Sequence, residues 1–254
     1  MDIASLLGPI MAIGMIIAGM FAKGAGNLLL ELVNVSAFLI VVGGTFGCLM
    51  VAYPMKDYIK SFKALIIFLK SGNSDPNALK TEIIEMAQIA RKESILALEK
   101  RVDTIAYTPL RDAIRLAVDG TDPNIVRDSL ESEQHHVFEE SEVAVKFWED
   151  FGAISPTIGI LGAVIGLMKV MTVLDQPEKI GPGIATAFVA TIYGVGLANI
   201  LAIPIGKKLK RKATLDGHLR TMVIVGVESI LTGLNPAVIA KKLDIYTDDH
   251  EKTA

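Results

Sequence analysis

Four windows along the chain contain no Asp, Glu, Lys or Arg: Ile3 to Ala22, Leu32 to Met55, Phe151 to Met168 and Ile180 to Gly206. A helix needs roughly 20 predominantly apolar residues to cross a bilayer core, so each window predicts a membrane span. The third is short, but Val170 to Leu174 extends it past a single Lys169, which can snorkel to the interface. Met1-Asp2 gives no basic start, and the first window outruns the apolar region of a secretory signal, so it reads as a retained helix.

Between the windows the pattern turns polar and stays helical. Leu79, Ile83, Met86, Ala87 and Ala90 recur at helical spacing, and Pro109 to Val118 forms a second stretch ended by Gly120. Asp122-Pro123 supplies an N-cap followed by proline at the first helical position, and Asp75-Pro76 is a similar turn and cap pair. Asn124 to Asp150 lacks Gly and Pro, which predicts a helix of ~40 Å, at 1.5 Å per residue, running straight into span three. After span four, a helix is predicted from His218 to Leu231, then a break at Gly233 and Pro236. A short helix comes next, near Ala237 to Leu243, and the last ten residues read as a frayed polar end. No strand pattern appears. The fold class is an all-α integral membrane protein: four transmembrane helices, a helical domain between spans two and three, and a short C-terminal tail. The division runs 1–55, 56–150, 151–206 and 207–254.

Charge sets the orientation. Lys56, Lys60, Lys63 and Lys70 come after span two, and Lys207, Lys208, Lys210, Arg211 and Lys212 after span four. The other two connections offer Lys23, and Lys169 and Lys179 among Asp175 and Glu178. The positive-inside rule then places both termini and the 56–150 segment in the cytoplasm. Tyr53, Phe147, Trp148 and Phe151 fall near that interface, where aromatic anchors are expected. Composition agrees: 51% of the 254 residues are hydrophobic, 21% are charged, and the mean hydropathy is +0.47. The net charge of -3 gives no basic field for nucleic acid. A single cysteine, Cys48, excludes an internal disulfide framework and a cysteine-based zinc cluster.

Signals for an enzyme are missing. There is no phosphate-cradling glycine loop, no HExxH and no GxSxG, so the chain reads as a non-enzyme without catalytic residues, metal site or cofactor. His135 and His136 point to different helix faces and read as solvated surface. Within the windows the informative fact is that no carboxylate is present; Glu31 only borders the second. An ion relay through hydrocarbon needs an ionisable group, so a partner must bring it. Spans three and four are rich in small residues, from Gly152 to Gly166 and from Gly183 to Gly196. Composition leaves two readings open for them, tight packing within the chain and the lining of a pore. Pro156 and Pro204 break helical hydrogen bonds, as fixed kinks or as hinges.

Three strings carry a family resemblance: Ala90-Arg-Lys-Glu-Ser-Ile-Leu-Ala-Leu-Glu99, the stretch from Phe151 to Leu167, and the stretch from Ile180 through Gly194 to Pro204. With the order of spans, they resemble the MotA/PomA family, the A subunits of the bacterial flagellar stator, up to about Leu243. The resemblance implies a homopentamer of A subunits in the cell inner membrane around a dimer of MotB-like B subunits, whose spans bring the ion-binding aspartate. Spans one and two would be peripheral, with three and four lining the pore. Ion flow would turn the A ring, which drives the rotor protein FliG. Residue by residue, the resemblance gives Arg91, Glu99 and, by a looser alignment, Glu133 as rotor contacts. Pro156 and Pro204 become conformational couplers, and Thr191 the pore threonine. Sodium-driven members carry hydroxyls at the positions of Ala163, Ala190 and Thr191; two methyl groups here favour protons, although Thr186 or backbone carbonyls offer oxygens. The nearest rival is an ExbB/TolQ-like energiser of outer-membrane transport, which typically has three spans. A membrane scaffold would explain the small residues but not the Arg91/Glu99 string, and a membrane enzyme lacks a nucleophile.

Overall fold

The computed structural model describes residues 3–69 and 75–251, with the backbone alone at 27, 28 and 248–251. Met1-Asp2 and Lys70 lie outside the described residues. Eight long helices carry the described residues: α1 Ile3–Ala22, α2 Val35–Ala52, α3 Met55–Leu69, α4 Pro76–Glu93, α5 Thr108–Val118, α6 Pro123–Met171, α7 Pro177–Leu231 and α8 Pro236–Glu251. Among the described residues there is no strand. Four helices, α1, α2, α6 and α7, are long and apolar enough to cross a membrane, and each overlaps one of the four charge-free windows, α6 and α7 running well beyond theirs. The chain forms two compact units, 1–71 with 141–210 and 72–140 with 211–254.

In the first unit, α2 and α7 share an unusual register. The buried residues of α2 are Ala37, Val41, Thr45 and Leu49, and those in the middle of α7 include Ala190, Gly194, Ala198 and Ala202. Both stripes step by four. At 3.6 residues per turn such a stripe drifts by ~40° per step, or ~120° over three steps. Each helix contains one wide π turn, Leu39–Gly43 in α2 and Leu197–Ala202 in α7. One extra residue in a turn takes up about 100° of phase, most of the drift, so the stripes stay on one side. In α2 the buried Thr45 hydroxyl bonds back to the Val41 carbonyl at 2.6 Å. In α7 the π turn lies just before Pro204, whose missing N–H leaves the Ile200 carbonyl without its helical donor.

Several aromatic residues of this unit cluster in a core of their own. Phe147, Trp148 and Phe151 are buried, and Phe147 and Trp148 sit edge-on to Phe62 at 5.6 and 5.7 Å. Trp148 Nε1 donates to the Ser61 carbonyl at 3.1 Å, and the Tyr53 hydroxyl donates to Asp150 at 2.6 Å. The bond to Ser61 and the ring contacts of Phe62 hold α3 in the apolar unit, where the sequence division at residue 56 would have placed it with the polar loop.

The second unit has one core. Leu79, Ile83, Met86 and Ala87 of α4 pack with Leu110, Ala113, Ile114 and Ala117 of α5, each set spaced for one helical face. Burying each of the larger side chains is worth about 1.5–3 kcal/mol. Caps fall where Asp-Pro predicted them: Asp75 accepts from Asn77 N and Asp122 from Asn124 N, both at 2.9 Å. Gly120, at φ +77°, lies just past the end of α5. The long helix expected from Asn124 continues without interruption to Met171.

Two expectations about the C-terminal part are corrected. The helix predicted from His218 is already running at Ile203, because nothing between Gly206 and His218 stops it. The short helix expected near Ala237 to Leu243 runs on to Glu251, so 245–251 are helical rather than frayed, while 252–254 lie outside the described residues. Ile239 and Leu243 are buried in the shared core, and Lys80 pairs with Asp244. The 207–254 segment thus divides at Lys210, and residues 211–254 build one core with 72–140.

Candidate functional site

Helices α6 and α7 meet backbone to backbone. A Cβ at Gly194 would lie 2.5 Å from the Ser155 carbonyl oxygen and 3.0 Å from Gly159 Cα. A Cβ at Gly159 would lie 2.9 Å from the Ala190 carbonyl oxygen. Ser155 Oγ closes the contact by donating to the Gly194 carbonyl at 3.1 Å. The small residues at this crossing therefore serve packing within the chain. Their neighbours Ile160, Leu161, Val164, Phe188, Ile192 and Val195 face outward, leaving an apolar surface on both helices.

The candidate ion-path residues divide accordingly. Ala190 is buried, its methyl 2.9 Å from where a Cβ on Gly162 would stand. Ala163 is half-buried and offers no polar atom. Thr191, also half-buried, has its hydroxyl 3.5 Å from the Ala187 carbonyl, at the limit of a hydrogen bond. Thr186 is engaged elsewhere: it donates to the Pro182 carbonyl at 3.0 Å and accepts from Asn34 Nδ2 at 3.1 Å. Thr186 and Thr191 are five residues apart, about 140° around the helix, so they do not form one site. Asn34 and Tyr193, which no sequence pattern singles out, complete a brace. Asn34 Oδ1 caps α2 by accepting from Ala37 N at 3.0 Å, and the Tyr193 hydroxyl donates to the Leu32 carbonyl. Pro156 is half-buried against Gly194, whereas Pro204 is exposed.

The candidate rotor contacts lie in the second unit. Arg91 and Glu99 are exposed, and neither pairs with another side chain among the described residues. Between them Ser94 adopts φ 118° and ψ 164°, a region that non-glycine residues avoid. Glu133 is placed differently, because its carboxylate accepts from Arg220 Nη1 at 3.0 Å. His135 and His136 are exposed, 3.2 and 3.8 Å from Glu139 and Glu140.

Residues 97–220 match the model of the MotA/TolQ/ExbB proton channel family. Motility protein A of Bacillus subtilis (strain 168) is 34% identical over 248 residues, 97% of this chain and 91% of the relative. Chemotaxis protein PomA of Vibrio alginolyticus is 31% identical, covering 99% and 98%. The chain belongs to the motility protein A family. Two solved stator structures agree. The flagellar MotAB stator complex from Bacillus subtilis matches with a TM-score of 0.89 at 33% identity over 100% of both chains. The C. jejuni MotAB structure matches with a TM-score of 0.90 at 30% identity, over 97% and 96%. As a member of the motility protein A family with four apolar helices, the chain is a multi-pass membrane protein. The full-length likeness includes α1 and α2, and it favours the flagellar stator over the ExbB/TolQ-like energiser.

Proposed function

We propose that this chain pairs with a MotB-like B subunit in the inner membrane, both of its termini cytoplasmic, as a pentamer around a B dimer. Proton flow through that complex turns the A ring, which applies torque to FliG. No enzymatic step is assigned to it. The observation that carries the reading is the α6–α7 pair, closely packed through glycine, free of carboxylates in its apolar windows and presenting apolar side chains outward. Such a pair can enclose an ion path but cannot carry the ion, so the partner's carboxylate is required. One elementary charge crossing 100 mV releases about 2.3 kcal/mol, enough to bias a step of the ring.

The choice of proton rests on the shortage of oxygen ligands. Ala163 and Ala190 present methyl groups, the Thr186 hydroxyl is committed to Asn34 and Pro182, and Thr191 remains. Pro204, beside the π turn, and Pro156, against Gly194, are the positions where α7 and α6 can respond to protonation of the partner. Arg91 and Glu99 act on the rotor directly. Swimming speed should track the proton-motive force at fixed external sodium, and speed that tracks sodium at fixed proton-motive force would overturn the reading. Ala163→Thr is the cleaner test of the ion site, since Ala190 is buried and a larger side chain there would overpack, whereas Ala163 is half-buried.

A further inference from the structure

A groove with a volume of about 370 Å³ opens between α1, the end of α3 and the middle of α7. Its walls are mostly apolar, with Gly8, Pro9 and Ala12 on one side and Phe68, Leu201 and Pro204 on the other, and the Asn199 amide among them is turned back to the Val195 carbonyl. The volume is within the range of ~300–1,000 Å³ usual for small-molecule sites. Its positive charge is Lys208, whose ammonium meets the Ser5 hydroxyl and lies 5.1 Å from the centre of the Phe68 ring. No carboxylate lines the groove. Along α1, Ser5 and Ala12 are seven residues or about 10 Å apart, so the groove runs from a charged end to an apolar one.

The surroundings match the charge. Lys208 belongs to the basic run from Lys207 to Lys212, and α3 presents exposed Ile59, Ile66 and Ile67 on the helix that carries Lys56, Lys60 and Lys63. A helix of that kind lies at the surface of an anionic leaflet. Basic pockets between spans on the cytoplasmic side suit anionic head groups. We propose that the groove binds an anionic glycerophospholipid of the cytoplasmic leaflet. Its phosphate sits beside the Lys208 ammonium, and one acyl chain runs along Gly8, Pro9 and Ala12. A free phosphate would gain nothing from the apolar walls, and a neutral lipid nothing from the ammonium. The bound chain packs on Leu201 and Pro204, where α7 is already widened, so occupancy bears on the segment proposed to respond to protonation.

The inference rests on the cytoplasmic placement of Lys208, which a reporter fused after the C-terminus checks separately. The test uses the complex of this chain with its B subunit, exchanged into equal amounts of phosphatidylglycerol and phosphatidylcholine. Lipid retained per protomer is read by native mass spectrometry. Wild type and Lys208→Arg should retain phosphatidylglycerol over phosphatidylcholine by about fivefold. Lys208→Met and Gly8→Leu should each lose that preference. A Cβ at Gly8 has no atom within 4 Å, and Gly8 lines the groove, so a leucine there extends into it; Ala12→Leu replaces it should the first variant fail to assemble. Four results would overturn the proposal. They are no preference in wild type, a preference kept by Lys208→Met or by the leucine variant, displacement of the lipid by excess glycerol 3-phosphate, and a groove covered by a second copy that retains no lipid.

Discussion

Arg220 holds Glu133: Nη1 donates to the Glu133 carboxylate at 3.0 Å while Nε donates to Asp216 at 2.8 Å. The Arg220 side chain is only 17% exposed, so its charge depends on both partners. The Tyr107 hydroxyl bonds the other Asp216 oxygen at 3.2 Å. Burial and the neighbouring Asp216 push the Tyr107 phenol up, which keeps it a neutral donor. The acidic group expected at the rotor therefore already serves its own chain. Glu133→Arg and Arg220→Glu should each slow swimming, and the double exchange should recover part of the speed, because it rebuilds the 133–220 pair but sets a carboxylate beside Asp216. A direct rotor role for Glu133 would leave the double variant as slow as the single ones.

The α6–α7 crossing leaves no room at Gly194, where the obstructing atoms are backbone. Gly194→Ala should cost about 1–3 kcal/mol through overpacking and abolish motility. Gly196→Ala is the control, because nothing lies within 4 Å of the added methyl. Thermal melting of the purified complex, read beside soft-agar swimming, separates the two.

Ser94 is strained while Arg91 and Glu99 flank it. Glycine at 94 would relieve about 1–3 kcal/mol of backbone strain and cost ~0.5–1 kcal/mol in chain entropy. Ser94→Gly should therefore raise the melting temperature, with a net gain of about 1 kcal/mol.

Glu82 gives a pH dependence. Burial first, and then repulsion from Glu85, raise its carboxyl pKa against the opposing pull of Arg101. A carboxyl raised on folding is at its most favourable when protonated, so its contribution is full in acid and is lost as pH rises through the folded value. Glu82→Gln should melt above wild type near neutral pH. The difference should vanish below about pH 4, where both side chains are neutral.

Much of the fold is legible in local patterns along the chain. Charge-free windows, Asp-Pro caps, Gly120 and the unbroken run from Asn124 all act within a few turns, and they placed α4, α5, α6 and the four apolar helices. The rest depends on partners far away in sequence. Thr186 meets Asn34 across 152 residues, and Glu133 meets Arg220 across 87. The burial of Phe147 and Trp148 depends on α3, and the extension of α8 depends on Lys80 and the α4 core. One signal lies in the sequence itself: small residues at 190, 194, 198 and 202, and apolar or small ones at 37, 41, 45 and 49, recur every four residues, an interval that drifts around a regular α-helix by about 40° per step.

That interval makes length itself a constraint. Removing one residue between 197 and 202 would give α7 a more regular ladder of hydrogen bonds, a local repair. It would also turn every later side chain by about 100°, swinging Ile205 and Leu209 out of the aromatic core. In this helix an apparent imperfection acts as a spacer, and a shortened chain would be straighter yet misaligned with its neighbours.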